Sequence, residues 1–162
     1  MNPIAIIGTI DESITYADRP TVKVVIKNDD DILLLNNGLL PGGGIDAAES
    51  DLDAISRELQ EELGATVTDI HKIGEVIQYR NLLSKRYIIK GYIAKLESIS
   101  GQTNPQDVGE SQFTQNWFPL SEALNMVSRS IETAKTKSMD NDANQGKLYN
   151  LMSTFELLER LK

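Results

Sequence analysis

Residues 40–64, LPGGGIDAAESDLDAISRELQEELG, constrain this chain more than any other stretch. A glycine-rich break is followed at once by an apolar periodicity. Ala48, Leu52, Ile55, Leu59 and Leu63 recur at three- and four-residue intervals, which predicts an amphipathic helix over 47–63. Asp46 is the expected N-cap, with Glu49 three residues on completing a capping-box-like pair. Gly64 is the expected stop, because glycine readily takes the left-handed conformation just past a helix end. The acids of this helix stand at the wrong end. Glu58, Glu61 and Glu62 crowd the C-terminal turn, where the helix dipole is negative, and each is disfavoured by roughly 0.3–1 kcal/mol. Glu58 and Glu62 are also a like-charged i,i+4 pair, unfavourable by roughly 0.2–0.5 kcal/mol more. On a helical wheel Glu62 borders the apolar stripe, Glu58 lies next to it and Glu61 falls just beyond. The expected result is a carboxylate edge where the buried face meets solvent. Such an edge can aim several oxygens at one hard cation, and oxygen-only ligands favour Mg²⁺ or Mn²⁺. A solvated acidic face is the common alternative for surface acids. The C-terminal placement, the position beside the stripe and the preceding glycines argue against it here.

Around this segment the pattern is mixed α/β. TVKVVIKNDDDILLLNNG reads as a strand, a tight turn at Asn28–Asp31 and a second strand. Strand-like segments are expected around 73–79 and 86–96, then a polar loop, SGQTNPQDVGESQ. A helix over 121–130 or beyond and a final amphipathic helix over 147–161 complete the chain. The order lacks the regular βαβ alternation of a doubly wound sheet. Residues 1–162 are expected to form one domain, with a C-terminal helical extension over about 131–162.

Composition narrows the function. The net charge of −8 argues against a nucleic-acid or anionic-membrane partner, both of which need a basic face. An anionic substrate would need a metal or a local basic patch. The absence of cysteine excludes disulfides, zinc–thiolate sites and cysteine catalysis. The opening MNPIAIIGTIDES lacks the basic region and longer apolar run of a signal peptide, so a cytoplasmic location is expected.

Gly43, five residues, Glu49, seven residues, then Arg57-Glu58-Leu59-Gln60-Glu61-Glu62-Leu63-Gly64 resembles the Nudix box of the Nudix hydrolases. Every fixed polar and glycine position of that motif matches. Ala65, where the family has a larger hydrophobic residue, is a mild departure. The hairpin before LPGGG and the WFPL-SEA segment extend the likeness over roughly residues 20–130. The resemblance implies a mixed sheet sandwiched between helices, with the box forming loop–helix–loop. It also implies Mg²⁺- or Mn²⁺-dependent hydrolysis of a diphosphate linkage in a nucleoside diphosphate derivative. Nucleoside triphosphates and sugar nucleotides are the leading substrates. Carried over by position, Glu58, Glu61 and Glu62 are metal ligands, and Glu58 also orients or deprotonates the water. Arg57 orients the carboxylates, Glu49 braces the helix start, and the Gly42 carbonyl reaches a metal.

Family members often add a loop acid beyond the box. Glu110 and Asp107 are the candidates here, against the alternative of ordinary loop acids. The family's basic strand before the glycines is replaced by LLLNNGLL, where Asn36 and Asn37 bring donors without charge. Cations for the distal phosphate are therefore expected from Arg80, Lys85, Arg86, Lys90 and Lys95, Arg80 and Arg86 first. The alternative is a solvated basic hairpin. DNDANQG (140–146) fails as a calcium loop, since Gln145 stands where glycine is needed and Leu151 where glutamate is needed. His71, the sole histidine, excludes histidine clusters and is expected at the surface. Trp117 and Phe118 are expected in the core or at the domain rim rather than stacked on a base. The 147–161 helix serves domain packing or a homodimer face. The rival reading of the whole chain is a non-catalytic nucleotide-sensing module of the same fold.

Overall fold

The computed structural model describes residues 2–101 and 113–162. Its strands are β1 (Ala5–Ile7), β2 (Ala17–Asn28), β3 (Asp31–Leu35), β4 (Gly42–Gly44), β5 (Ala65–Arg80), β6 (Lys85–Ile99) and β7 (Gln115–Pro119). The helices are α1 (Asp51–Leu63), α2 (Leu120–Ala134) and α3 (Asp142–Glu159). Among the described residues the strands form one mixed sheet in the order β1-β5-β6-β2-β3-β7, with β4 paired to β2. The β1–β5 and β2–β6 pairs are parallel and the rest antiparallel.

Strand β2 organises the sheet. One edge runs beside β6 from Ala17–Lys85 to Lys27–Lys95. The other edge is divided: Thr21–Lys23 pairs with the glycine strand β4, and Lys27–Asn28 pairs with β3. Val22, Val24 and Ile26 alternate onto one face, where they pack with Ala54, Ile55, Leu59 and Leu63 of α1. Val25 points the other way, to a core shared with Val127 of α2 and Leu157 and Leu158 of α3. Period-two alternation thus gives both faces an apolar cover. Helix α1 lies on one face and the α2–α3 pair on the other, as the expected sandwich requires. Trp117 and Phe118 are neighbours in β7 and go to opposite cores, Trp117 to the α1 side and Phe118 to the α2–α3 side.

The helix start differs from expectation. α1 begins at Asp51, not at residue 47, and its N-cap is Ser50, whose hydroxyl accepts the Asp53 N–H at 3.1 Å. Ala48 has φ +64°, outside helical space, so the chain cannot be helical there. The Asp46–Glu49 pair still closes on itself, with Asp46 N–H donating to Glu49 Oε1 at 3.0 Å, but it forms a turn ahead of the helix. The apolar stripe shifts with it: Ala48 and Leu52 are exposed, and Ala54 joins Ile55, Leu59 and Leu63 in the core. The stop is where it was expected. Gly64 is left-handed (φ 59°, ψ 35°) and its N–H returns to Gln60 O. Helix α3 also starts earlier than expected, because Asn141 of the DNDANQG stretch caps it through the Asn144 N–H. His71 is exposed, beside Asp69. No helix among the described residues is long and apolar enough to cross a membrane.

Candidate active site

The glycine strand and α1 meet through side chains that leave no room for a Cβ. Gly42 has φ +140°, and a Cβ there would stand 2.0 Å from Val22 O. Its N–H donates to Glu62 Oε2 at 3.1 Å. A Cβ on Gly43 would stand 2.4 Å from the Glu58 carboxyl carbon. Two consecutive glycines therefore let the strand lie directly on β2 while two helix carboxylates close over it. Glu58 and Glu62 are only 7% and 6% exposed, more buried than the solvent edge expected of them.

Arg57 ties the loop to the helix. Its Nε donates to Glu49 Oε2 at 2.8 Å and its Nη2 to Glu49 Oε1 at 2.9 Å, a bidentate pair. Nη2 also donates to the Gly44 carbonyl at 2.9 Å, and Nη1 to Glu58 Oε1 at 2.8 Å. Glu61 Oε2 lies 3.5 Å from Nη1. These bonds place Arg57, Glu58 and Glu61 together and hold Glu49 against them from outside the helix.

The electrostatics follow from those contacts. The Arg57 hydrogen bonds, with help from the Asp46 N–H, hold the Glu49 carboxyl down at about 2. Glu49 in turn raises Arg57 well above its ordinary range, so that guanidinium stays charged. Glu58 goes the other way. Burial pushes its carboxyl up despite the hydrogen bond from Arg57, and the Glu61 charge pushes it further.

Two cations that sequence reasoning passed over belong to this neighbourhood. Lys23, in register with Gly42 on β2, donates from Nζ to Leu40 O at 3.2 Å, and its charge lowers Glu58. The signal was a lone charge between Val22 and Val24 in an otherwise buried strand. Arg19 brings its guanidinium alongside Gly44, 2.3 Å from where a Cβ would stand.

The expected phosphate-binding cations are placed differently. Arg80 is buried, pairs with Asp142 at 3.1 Å and lies 5.0 Å from the Tyr87 ring centre, where it anchors the start of α3. Arg86 forms a bidentate pair with Asp18 at 2.7 and 2.8 Å. Lys90 reaches Asp51 at 3.0 Å, beside the Tyr92 hydroxyl, which donates to the same carboxylate. Burial raises Asp51, yet these two donors outweigh it and leave its carboxyl lowered. Glu110 and Asp107 lie outside the described residues.

A NUDIX domain model matches residues 17–137, most of the chain. The chain belongs to the Nudix family. Its match to an RNA pyrophosphohydrolase of Ruthia magnifica subsp. Calyptogena magnifica is 34% identical over 108 residues, covering 63% of this chain. That alignment spans only 53% of the relative's own length. A crystal structure of a MutT Nudix hydrolase from Burkholderia pseudomallei aligns at 25% identity and TM-score 0.52, over 65% of this chain and 85% of that one. A Nudix hydrolase from Nitrosomonas europaea superposes more widely, with TM-score 0.59 over 90% and 91% of the two chains. At 20% identity it speaks for the fold alone. In this Nudix chain α3 lies beyond the matched family segment, yet Leu157 and Leu158 are fully buried against the sheet.

A divalent ion fits the box in one particular way. Its donors are carboxylate oxygens, the chemistry hard cations select. Among the described residues no three acidic or histidine side chains converge closely enough to enclose an ion. Arg57 occupies one side of Glu58, and the Gly42 N–H bonds Glu62. An ion held by these acids would therefore take much of its shell from waters and phosphate oxygens, as hard divalent cations do.

Proposed function

We propose that this Nudix chain is a pyrophosphohydrolase that splits a diphosphate linkage in a nucleoside diphosphate derivative with Mg²⁺ or Mn²⁺. The observation that carries this reading is the burial of Glu58 against Gly43 with Arg57 fixing its carboxylate. A buried acid with a raised pKa, locked in one rotamer beside a loop that tolerates no Cβ, is poorly suited to be a solvated surface group. Glu58, Glu61 and Glu62, with the Gly42 carbonyl, would hold the metal. When bound, such an ion lowers the pKa of attacking water and neutralises charge on the phosphate oxygens.

The protein's own groups do the rest. Glu58 takes the proton of the attacking water at its carboxylate, and burial keeps its basicity high enough for that task. Arg57 holds Glu58 and Glu61 in place and remains charged throughout. Lys23 and Arg19, rather than Arg80 and Arg86, flank the glycine strand from the side where substrate phosphates would lie. Water attacks one phosphorus, the bridging oxygen leaves with the other phosphate, and two phosphate products result. A nucleoside triphosphate or nucleotide sugar is the proposed substrate.

A magnesium titration followed by thermal melting, run beside a panel of diphosphate compounds assayed for released phosphate or pyrophosphate, tests this. The melting temperature should rise with Mg²⁺ by mass action, and at least one compound should be cleaved only with metal present. A rise without cleavage of any compound would favour the non-catalytic sensing module. No rise would sink the metal site.

A further inference from the structure

A cavity of about 540 Å³ opens between α2, α3 and the turn after β3, on the sheet face opposite α1. Its floor is apolar, with Leu39 and Leu151. Its polar lining, Asn36, Arg129, Ser130, Thr133, Lys147 and Asn150, holds two cations and no carboxylate, unusual for a chain of net charge −8.

The donor character follows from bonds that fix each amide. Thr114 N–H donates to Asn36 Oδ1 at 3.0 Å, so the Asn36 NH₂ is the end left over. Gln78 Nε2 donates to the Tyr149 backbone carbonyl at 3.2 Å, which assigns that atom as nitrogen. One of the two hydrogens on that nitrogen goes to Ser153 and the other is shared between Tyr149 O and Asn150 Oδ1, 3.1 Å away, which leaves the Asn150 NH₂ over. The side chains of Arg129 and Lys147 have no hydrogen-bond or ion-pair partner among the described residues. Two amide donors and two cations thus line one hollow. A donor set of this kind is complementary to phosphate oxygens.

The hollow lies close to the box. Leu39 and Asn150 also line a narrower cleft whose other walls include Lys23 and Leu40. Lys23 Nζ bonds Leu40 O, and Leu40 precedes Pro41 and Gly42 directly. That cleft has a volume of only about 10 Å³, too small for a ligand to pass, so the hollow is a neighbour of the Lys23 flank of the box rather than a continuation of it.

We propose that the α2–α3 cavity binds a phosphate group on the part of the substrate that is not being hydrolysed, through Arg129, Lys147, Asn36 and Asn150. The assignment to substrate rests on the hydrolase reading above; the anion site does not. A nucleotide bound as a separate effector offers the same chemistry, and the experiment separates the two.

Calorimetric titration in EDTA, which removes any metal-held binding at the box, would compare AMP with adenosine on wild type, Glu58→Gln and the surface double variant Arg129→Ala/Lys147→Ala. AMP should bind wild type and Glu58→Gln alike. It should bind about tenfold or more weakly to the double variant, and adenosine should bind weakly to all three. Unchanged melting of the double variant establishes that it folds. On the best substrate from the panel, the double variant should show KM raised about tenfold with kcat changed far less. Equal AMP affinity in wild type and double variant, or equal affinity for AMP and adenosine, would overturn the site. Lost AMP binding with unchanged KM would keep the anion site and overturn its assignment to substrate. Full hydrolysis by Glu58→Gln would sink the catalytic reading while leaving the AMP result standing.

Discussion

Helices α1 and α3 press on opposite faces of one sheet, and they bury different kinds of polar group. α1 buries the carboxylates Glu58 and Glu62, whereas α3 buries the hydroxyls of Ser153 and Thr154. The α3 hydroxyls are satisfied locally, since Thr154 donates to Asn150 O at 3.1 Å and Ser153 accepts from Gln78 at 2.7 Å. Neutral groups need only a hydrogen bond when buried. A buried carboxylate also needs countercharge, and Arg57 brings it while binding Glu49 and the Gly44 carbonyl. One consequence is that the polar groups of α3 can change with local effects, while those of α1 are coupled to the whole loop.

The largest break in this contrast should come from Glu58→Gln. Turnover should fall about 100-fold or more, because the amide cannot take a proton. The apo melting temperature should hold or rise, since burial disfavours the carboxylate it replaces. A rate within a few-fold of wild type in steady-state assays would remove Glu58 from the chemistry.

Arg57→Ala should come next. It leaves Glu49, Glu58 and Glu61 without their shared cation and should cost about 2 kcal/mol, moderated because Arg57 is 29% exposed. Denaturant unfolding measures this. Ser153→Ala on the α3 side should cost about 1 kcal/mol by the same measurement. Equal losses would erase the distinction between the two helices.

Acid should expose the same coupling. Glu49 is lowered in the folded state, so its stabilisation is present above its ordinary value near 4.5 and is lost as pH falls toward about 2. Glu58 is raised, so its protonation on acidification favours the fold. Glu49→Gln should flatten the stability loss between about pH 4.5 and about 2, and Glu58→Gln should not. Melting curves across that range would show it.

The smallest effect concerns the start of α1. Ser50→Ala should cost about 1 kcal/mol through loss of the N-cap, whereas Asp46→Ala should cost clearly less. The reverse order would return the cap to Asp46.

Some of this was legible in the residues alone. The apolar spacing of Ile55, Leu59 and Leu63, the acids at 58, 61 and 62 and the stop at Gly64 are local properties, and local physics settles them. The start of α1 was harder to read because Asp46 and Ser50 are both good caps. Only the left-handed backbone at Ala48 decides between them. Leu52 has the right spacing for the core and is 56% exposed, since the sheet covers a face displaced toward Ala54 and Glu58.

The sequence by itself determined that a glycine break precedes an acidic helix end, and so which side chains could make an oxygen-ligand site. Tertiary structure decided which cations stand beside it. Lys23 and Arg19 reach the glycine strand because β4 pairs with β2, and Arg80 does not because Asp142 and Tyr87 hold it at α3. Charge partners depend on strand register and on the packing of distant elements, and neither is written in the spacing of any one segment.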